Sequence, residues 1–156
     1  MHSLSGQSII IMGGTTGLGL SAAKKLVAAG ARVVVTSRSQ VNVDAAVEAL
    51  GPNARGFAAD AATPEAAERA VELAVGEFGS VDALYHVAGG SGRGRGDGPL
   101  HELTDEGLDY TLALNLNSVI YSNRAAVKQF MAIPHYHPTL SEIWTYPAEE
   151  IADQLP

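Results

Sequence analysis

A glycine-rich turn, Gly13-Gly14-Thr15-Thr16-Gly17-Leu18-Gly19, set between a short apolar run and a helical pattern, restricts the folds open to this chain more than any other stretch. The preceding run, Ser8-Ile9-Ile10-Ile11-Met12, is continuously apolar instead of alternating, as expected for a strand covered on both faces of a parallel sheet. Beyond the turn, apolar residues recur at helical spacing from Leu18 to Ala29, and Gly30 stands where a left-handed C-terminal cap is wanted. Glycine at 13 permits the tight turn, Gly17 lets backbone approach a pyrophosphate, and Gly19 allows close packing of helix on sheet. The helix N-terminus behind Thr15, Thr16 and Leu18 offers unpaired N–H groups and partial positive charge to phosphates. A structural turn without a ligand is the plain alternative.

The alternation then repeats. Arg32 to Thr36 reads as a second strand, Val43 to Leu50 as a helix and Gly56 to Ala59 as a short third strand. Thr63 as N-cap and Pro64 at the first helical position open a further helix, with Ala67, Val71, Ala74 and Phe78 on one face and Gly79 at its close. Val81 to Ala88 gives a fourth strand, and after a glycine-rich loop Thr104 to Met131 is helical with a break near Asn115. Alternating units of this length demand right-handed crossovers and a parallel sheet with helices on both faces. The expected fold is therefore α/β, a truncated Rossmann-type fold whose four-stranded parallel sheet has the order 3-2-1-4. Its crevice should lie at the carboxyl ends of strands 1 and 4.

Composition narrows the partners. A formal net charge of -7, with ten scattered Lys and Arg, leaves no basic stripe for nucleic acid. No window approaches the roughly 20 apolar residues of a membrane span, and the first residues lack a signal-peptide pattern. With no Cys there is no disulfide framework or thiolate zinc site, which suits a reducing compartment; the cytoplasm is the expected location, and no metal site is expected.

Residues 7–131 resemble the short-chain dehydrogenase/reductase family in four motifs of matching order and spacing. The first turn fits its T-G-x-x-x-G-x-G pattern, with Met12 in place of the usual Thr. Asp60 matches the aspartate near the adenine ring, with Ala61 beside it, although a turn role would also suit Asp60. Ala88-Gly89 ends an N-N-A-G motif in which His86 and Val87 replace both asparagines, leaving open what supports the central sheet there. Asn115 matches the helix asparagine that kinks the helix, holds a water and orients the catalytic lysine. The resemblance implies a dinucleotide cofactor and a small carbonyl or hydroxyl substrate, with carbonyl or 3-oxoacyl reduction as the parent activity.

Cofactor choice rests on Thr36-Ser37-Arg38-Ser39. An acidic residue there would bind a ribose 2′-OH and repel a 2′-phosphate; instead Arg38, with Ser37 and its neighbour, favours NADP(H). NAD(H) is the alternative, with Arg38 stacked on adenine. The glycine-rich run Gly89 to Gly98 reads as a mobile loop over the nicotinamide side, in which Arg93 or Arg95 is either a substrate-anion ligand or merely solvated. Its Arg95-Gly96-Asp97 tripeptide, similar to a cell-adhesion motif, is read as coincidence.

The chemistry of the family needs a tyrosine activated by a lysine four residues later. Tyr85, Tyr110, Tyr121, Tyr136 and Tyr146 are instead followed at that spacing by Gly89, Leu114, Ala125, Leu140 and Glu150. The catalytic serine expected after Met131 is also missing. The run His135-Tyr136-His137-Pro138-Thr139-Leu140-Ser141-Glu142 resembles the carboxyl-terminal tail of the pyridine nucleotide-disulfide oxidoreductases. In that family the residues matching His137 and Glu142 serve a flavin and a cysteine pair. The expected organisation is thus an incomplete dinucleotide-binding domain over 1–131 and a foreign-looking helical tail over 132–156. Little or no catalysis alone is expected; the alternatives are a reductase completed by a partner chain and a non-binding, partly folded fragment. Homo-oligomer formation is expected through helix 104–131 and edge strand 4.

Overall fold

A computed structural model describes residues 3–131. The elements are β1 (Ser8–Met12), α1 (Gly17–Ala28), β2 (Arg32–Ser37), α2 (Gln40–Leu50), β3 (Ala54–Ala58), α3 (Pro64–Phe78), β4 (Ala83–His86), a 3-10 turn (Arg93–Arg95), α4 (Asp105–Leu112), a π-helical segment (Ala113–Asn117) and α5 (Ser118–Met131). All strand pairs are parallel, and the order β3-β2-β1-β4 is the expected one. In register, Ile10 lies opposite Val34 on one side and Leu84 on the other.

The apolar run of β1 is explained by its two covered faces. Ile10 and Met12, with Val34 and Phe57, pack beneath α3 and α5; Ile9 and Ile11, with Val33 and Val35, pack against α1 and α2. Each isoleucine removed from water contributes about 2 kcal/mol, so this strand is a main source of stability. Alanines at 66, 67, 70 and 74 give α3 a thin face, which lets it lie close to the sheet.

Several boundaries differ from the sequence reading for identifiable reasons. Helix α2 begins at Gln40, ahead of the expected Val43, because Ser39 Oγ accepts the Asn42 N–H at 3.3 Å and caps a polar first turn that carries no apolar periodicity. Strand β3 begins at Ala54, which is buried and pairs with Val33. Thr63 does stand at the N-cap of α3, but its hydroxyl donates to the Asp60 carbonyl at 2.9 Å and makes no cap bond. Strand β4 is confined to Ala83–His86: the N–H groups of Val87 and Ala88 both donate to the Met12 carbonyl, at 2.8 and 2.9 Å, and this ends the ladder. Edge strand β4 is therefore shorter than the Val81 to Ala88 span expected of it, and it carries Tyr85 and His86.

The break expected near Asn115 is a π-helical segment centred on that residue. One extra residue in the turn shifts the helical register between α4 and α5, a local cost that recurs at functional positions in helices. The tail expected over 132–156, with its His137 and Glu142, lies outside the described residues.

Candidate functional site

At the carboxyl ends of the strands lies a cavity of about 340 Å³. Gly13, Thr16, Gly17, Leu18, Ser37, Arg38, Asp60, Ala61, Ala88 and Gly89 line it, which brings together most of the residues expected to hold a cofactor. Thr15 and Gly19, also expected there, do not line it. Thr15 is buried beneath the turn, and a Cβ on Gly19 would collide with the Gly13 carbonyl, so Gly19 serves the packing of α1 onto the turn. Thr36 and Val87, already marked by the motifs they belong to, complete the wall with Ala59 and Leu114, which did not stand out in the sequence. The latter two are strand-end and helix residues whose type alone signals only burial.

The turn is shaped for a ligand. Gly17 has φ +51° and nothing within 4 Å of the position a Cβ would take, so its exposed face is open space beside the cavity. Helix α1 starts there without a cap: Thr16 makes no side-chain bond and the first turn carries no acidic residue. Helices α2 and α4, by contrast, are capped by Ser39 and Thr104. The first N–H groups of α1 thus have no intrahelical or capping partner, and they sit at the positive end of the helix dipole. Leu18 is 78% exposed at the same rim, an apolar surface that an occupant would cover.

At the end of β2, Arg38 is exposed, and its Nη1 lies 3.4 Å from the Tyr110 hydroxyl as donor. Asp60 takes the Ala62 N–H on Oδ1 at 3.0 Å, so it is a turn residue as well as part of the lining. Asn115 stands behind the cavity and does not line it. Its Oδ1 accepts the Gly90 N–H at 3.0 Å, and its Nδ2 donates to the Gly90 carbonyl at 2.7 Å and the Thr111 carbonyl at 2.9 Å. The side chain therefore fastens the loop after β4 to the π-helical segment.

The glycine-rich loop is tied in more places than expected of a mobile segment. Asp97 Oδ2 accepts from Gly92 N–H and from the Thr111 hydroxyl, each at 3.2 Å. Arg95 pairs with Glu106 at 3.3 Å and lies over the Tyr110 ring. Both charged ends of the Arg-Gly-Asp tripeptide are thus engaged within the chain. Arg93 lines a separate open depression of about 760 Å³ with Asp97 and Glu102. That depression is larger than the crevice, yet its lining includes no helix N-terminus and no strand end.

His86 supplies the support that the missing asparagines left open. Nε2 is 2.9 Å from the Ala88 carbonyl, and Nδ1 is 2.8 Å from Ser122 Oγ; Ser118 Oγ lies 3.2 Å from Nε2 while donating to the Leu114 carbonyl. These partners fit a neutral ring with its proton on Nε2. Burial pushes the imidazole below the ordinary histidine value, and the bond to Ala88 opposes this only in part. Strand β4 is thereby tied to α5 by chemistry different from an amide's. The only sequence signal is the four-residue spacing of Ser118 and Ser122 on one helix face. At position 12, where the family pattern has threonine, the backbone carbonyl already holds the β4 loop, and Met12 Sδ lies 3.6 Å from the Thr36 hydroxyl.

A parallel sheet of this order, with a glycine turn leading into an uncapped helix at its carboxyl edge, defines a nucleotide-binding type of α/β domain. The short chain dehydrogenase family profile matches residues 7–135, and the chain belongs to that family. The match runs past the junction expected near Met131. An oxidoreductase of Sarocladium schorii is 35% identical over 127 residues, covering 81% of this chain and 49% of that protein. The 3-oxoacyl-acyl-carrier-protein reductase FabG of Escherichia coli is 29% identical over 133 residues, covering 85% and 53%. A solved short-chain type dehydrogenase/reductase from Mycobacterium ulcerans superposes with a TM-score of 0.76 at 28% identity, covering 84% and 49%. The chain thus spans about half the length of the relatives it matches. Among the described residues no helix is long and apolar enough to cross a membrane, and no group of metal-binding side chains is present.

Proposed function

We propose that this chain is the NADP(H)-holding part of a short-chain dehydrogenase/reductase, with reduction of a small carbonyl compound, of the 3-oxoacyl class, as the parent activity. The observation that carries the reading is the uncapped N-terminus of α1, with Gly17 open onto a crevice whose β2 end presents Arg38 and no carboxylate. The backbone N–H groups of the turn suit a pyrophosphate, and Arg38 with Ser37 suits a ribose 2′-phosphate. Asp60 and Ala61 stand where an adenine would lie, and Ala88 and Gly89 border the nicotinamide side. Bound there, the cofactor supplies or accepts a hydride. The substrate class is supported by the likeness to the 3-oxoacyl reductase.

Asn115 acts in this reading as a positioning residue that holds the loop at Gly89 and Gly90. None of the five tyrosines precedes a lysine at the required spacing, so these 156 residues hold the cofactor and contribute little or no turnover by themselves. We assign residues 1–131 to the cofactor domain. Leu108, Leu112, Leu116 and Ile120 recur every four residues along α4 and α5 and are all exposed. We assign this stripe, together with edge strand β4, to self-association. The compartment we propose is the cytoplasm.

The test is titration with NADPH and NADH, followed by nicotinamide fluorescence and heat. Arg38→Ala should weaken NADPH by about tenfold or more, the worth of a charge-assisted bond, and leave NADH nearly unchanged. Gly17→Val should weaken both. Absence of saturable binding by the unaltered chain would refute the reading.

A further inference from the structure

Arg38 does not stand alone at the end of β2. Tyr110, on α4, places its phenol oxygen 3.4 Å from Arg38 Nη1, and the Arg95 guanidinium carbon lies 4.7 Å from the centre of the same ring. The residue that follows β2, one from the glycine-rich loop and one from α4 therefore meet beside the cofactor crevice. Local pattern carries no hint of it, since 72 positions separate Arg38 from Tyr110.

The chemistry of this junction selects one kind of ligand. A phenol oxygen that accepts from a guanidinium keeps its own O–H to donate, and among the described residues no acceptor takes that proton from Tyr110. Arg38 keeps further N–H donors of its own. The two groups thus offer donors side by side, with a second guanidinium, paired with Glu106 at 3.3 Å, behind the ring. A phosphate monoester has only acceptor oxygens and a double negative charge, and it satisfies such a set. A ribose hydroxyl brings one oxygen and no charge and gains far less.

We propose that Tyr110 is a specificity-determining residue for the 2′-phosphate of NADP(H): it holds the Arg38 guanidinium at the crevice and donates its phenol proton to the phosphate, while Arg95 raises the local positive potential. This rests on the NADP(H) reading above. Because Tyr110 belongs to α4, occupancy by the phosphate also links β2 to the loop carrying Arg95 and Asp97.

The experiment is NADPH, NADH and 2′-AMP binding to the full chain, unaltered and as Arg38→Ala, Tyr110→Phe, Arg95→Ala and the Arg38→Ala/Tyr110→Phe pair, with far-UV circular dichroism on each. Tyr110→Phe should weaken NADPH and 2′-AMP about fivefold while NADH stays within about twofold. Arg95→Ala should weaken NADPH about twofold, with a larger effect at low salt. In the Arg38→Ala background the phenylalanine should add little. If Arg38→Ala abolishes the preference for NADPH and Tyr110→Phe leaves it intact, this inference is overturned and the cofactor reading stands. If neither substitution changes the preference, both fall. Equal weakening of NADPH and NADH by Tyr110→Phe would mean a merely structural role, and tighter NADPH binding would mean that the phenol competes with the phosphate for Arg38; either result overturns the proposal.

Discussion

Replacing His86 by alanine tests the tie between β4 and α5. The imidazole donates Nε2–H to the Ala88 carbonyl and accepts from Ser122 on Nδ1. The serines are not orphaned by its loss, because Ser118 keeps the Leu114 carbonyl and the Ser122 hydroxyl turns its proton from the imidazole to the Val119 carbonyl, 3.1 Å away. The loss leaves an unpaired Ala88 carbonyl, at about 1 kcal/mol, and a part-buried space of imidazole size, at about 1–2 kcal/mol. His86→Ala should therefore cost about 2–3 kcal/mol and lower the urea midpoint by about 1–1.5 M for a slope near 2 kcal/mol/M. The same residue has a signature in pH. Its folded value is lowered by burial, so below the unfolded value of 6.5 the unfolded chain binds more protons than the folded one, and stability falls as pH falls. The stability difference between the unaltered chain and His86→Asn should therefore shrink from about pH 7.5 to about pH 5.5, with the remaining histidines cancelling. The assay is urea unfolding followed by circular dichroism at several pH values. A loss below about 0.5 kcal/mol for the alanine variant would refute the energetic argument. A pH-independent difference for the asparagine variant would refute the neutral, buried imidazole.

Asn115→Ala removes two hydrogen bonds between the π-helical segment and the loop at Gly90 and a third to the Thr111 carbonyl of α4, and should cost about 1–2 kcal/mol because solvent replaces part of them. Hydrogen exchange at Gly90 should quicken while the strands stay protected; unchanged protection would show that the loop does not depend on this side chain. Leu112→Lys with Leu116→Lys places charge on the exposed stripe and should shift sedimentation toward the monomer, with circular dichroism unchanged. An unaltered mass would remove the stripe as an interface.

Much of the fold follows from local pattern. The Ile9-Ile10-Ile11 run, the helix-period alanines of α3 and the glycines that punctuate them specify strand, helix and turn without reference to distant residues. Once strands and helices alternate at this length, handedness and the two-sided covering of the sheet leave few topologies. The glycine turn is legible for the same reason: turn geometry, close approach and an open helix end are properties of a few adjacent residues. Where polar residues begin an element, as at Gln40, the pattern is silent, and only the Ser39 cap marks the start.

Short-range pattern alone thus specifies the layered α/β fold, the order of its strands and the position of the phosphate-type turn, because each depends on local periodicity and chain chirality. Only the folded chain shows that His86 replaces the amide support by reaching Ser118 and Ser122, that Asn115 grips Gly90, and that Arg38, Tyr110 and Arg95 converge at the crevice. Those contacts join residues far apart in the chain, and whether a polar side chain is solvated or bonded depends on what the folded chain brings within about 3 Å of it.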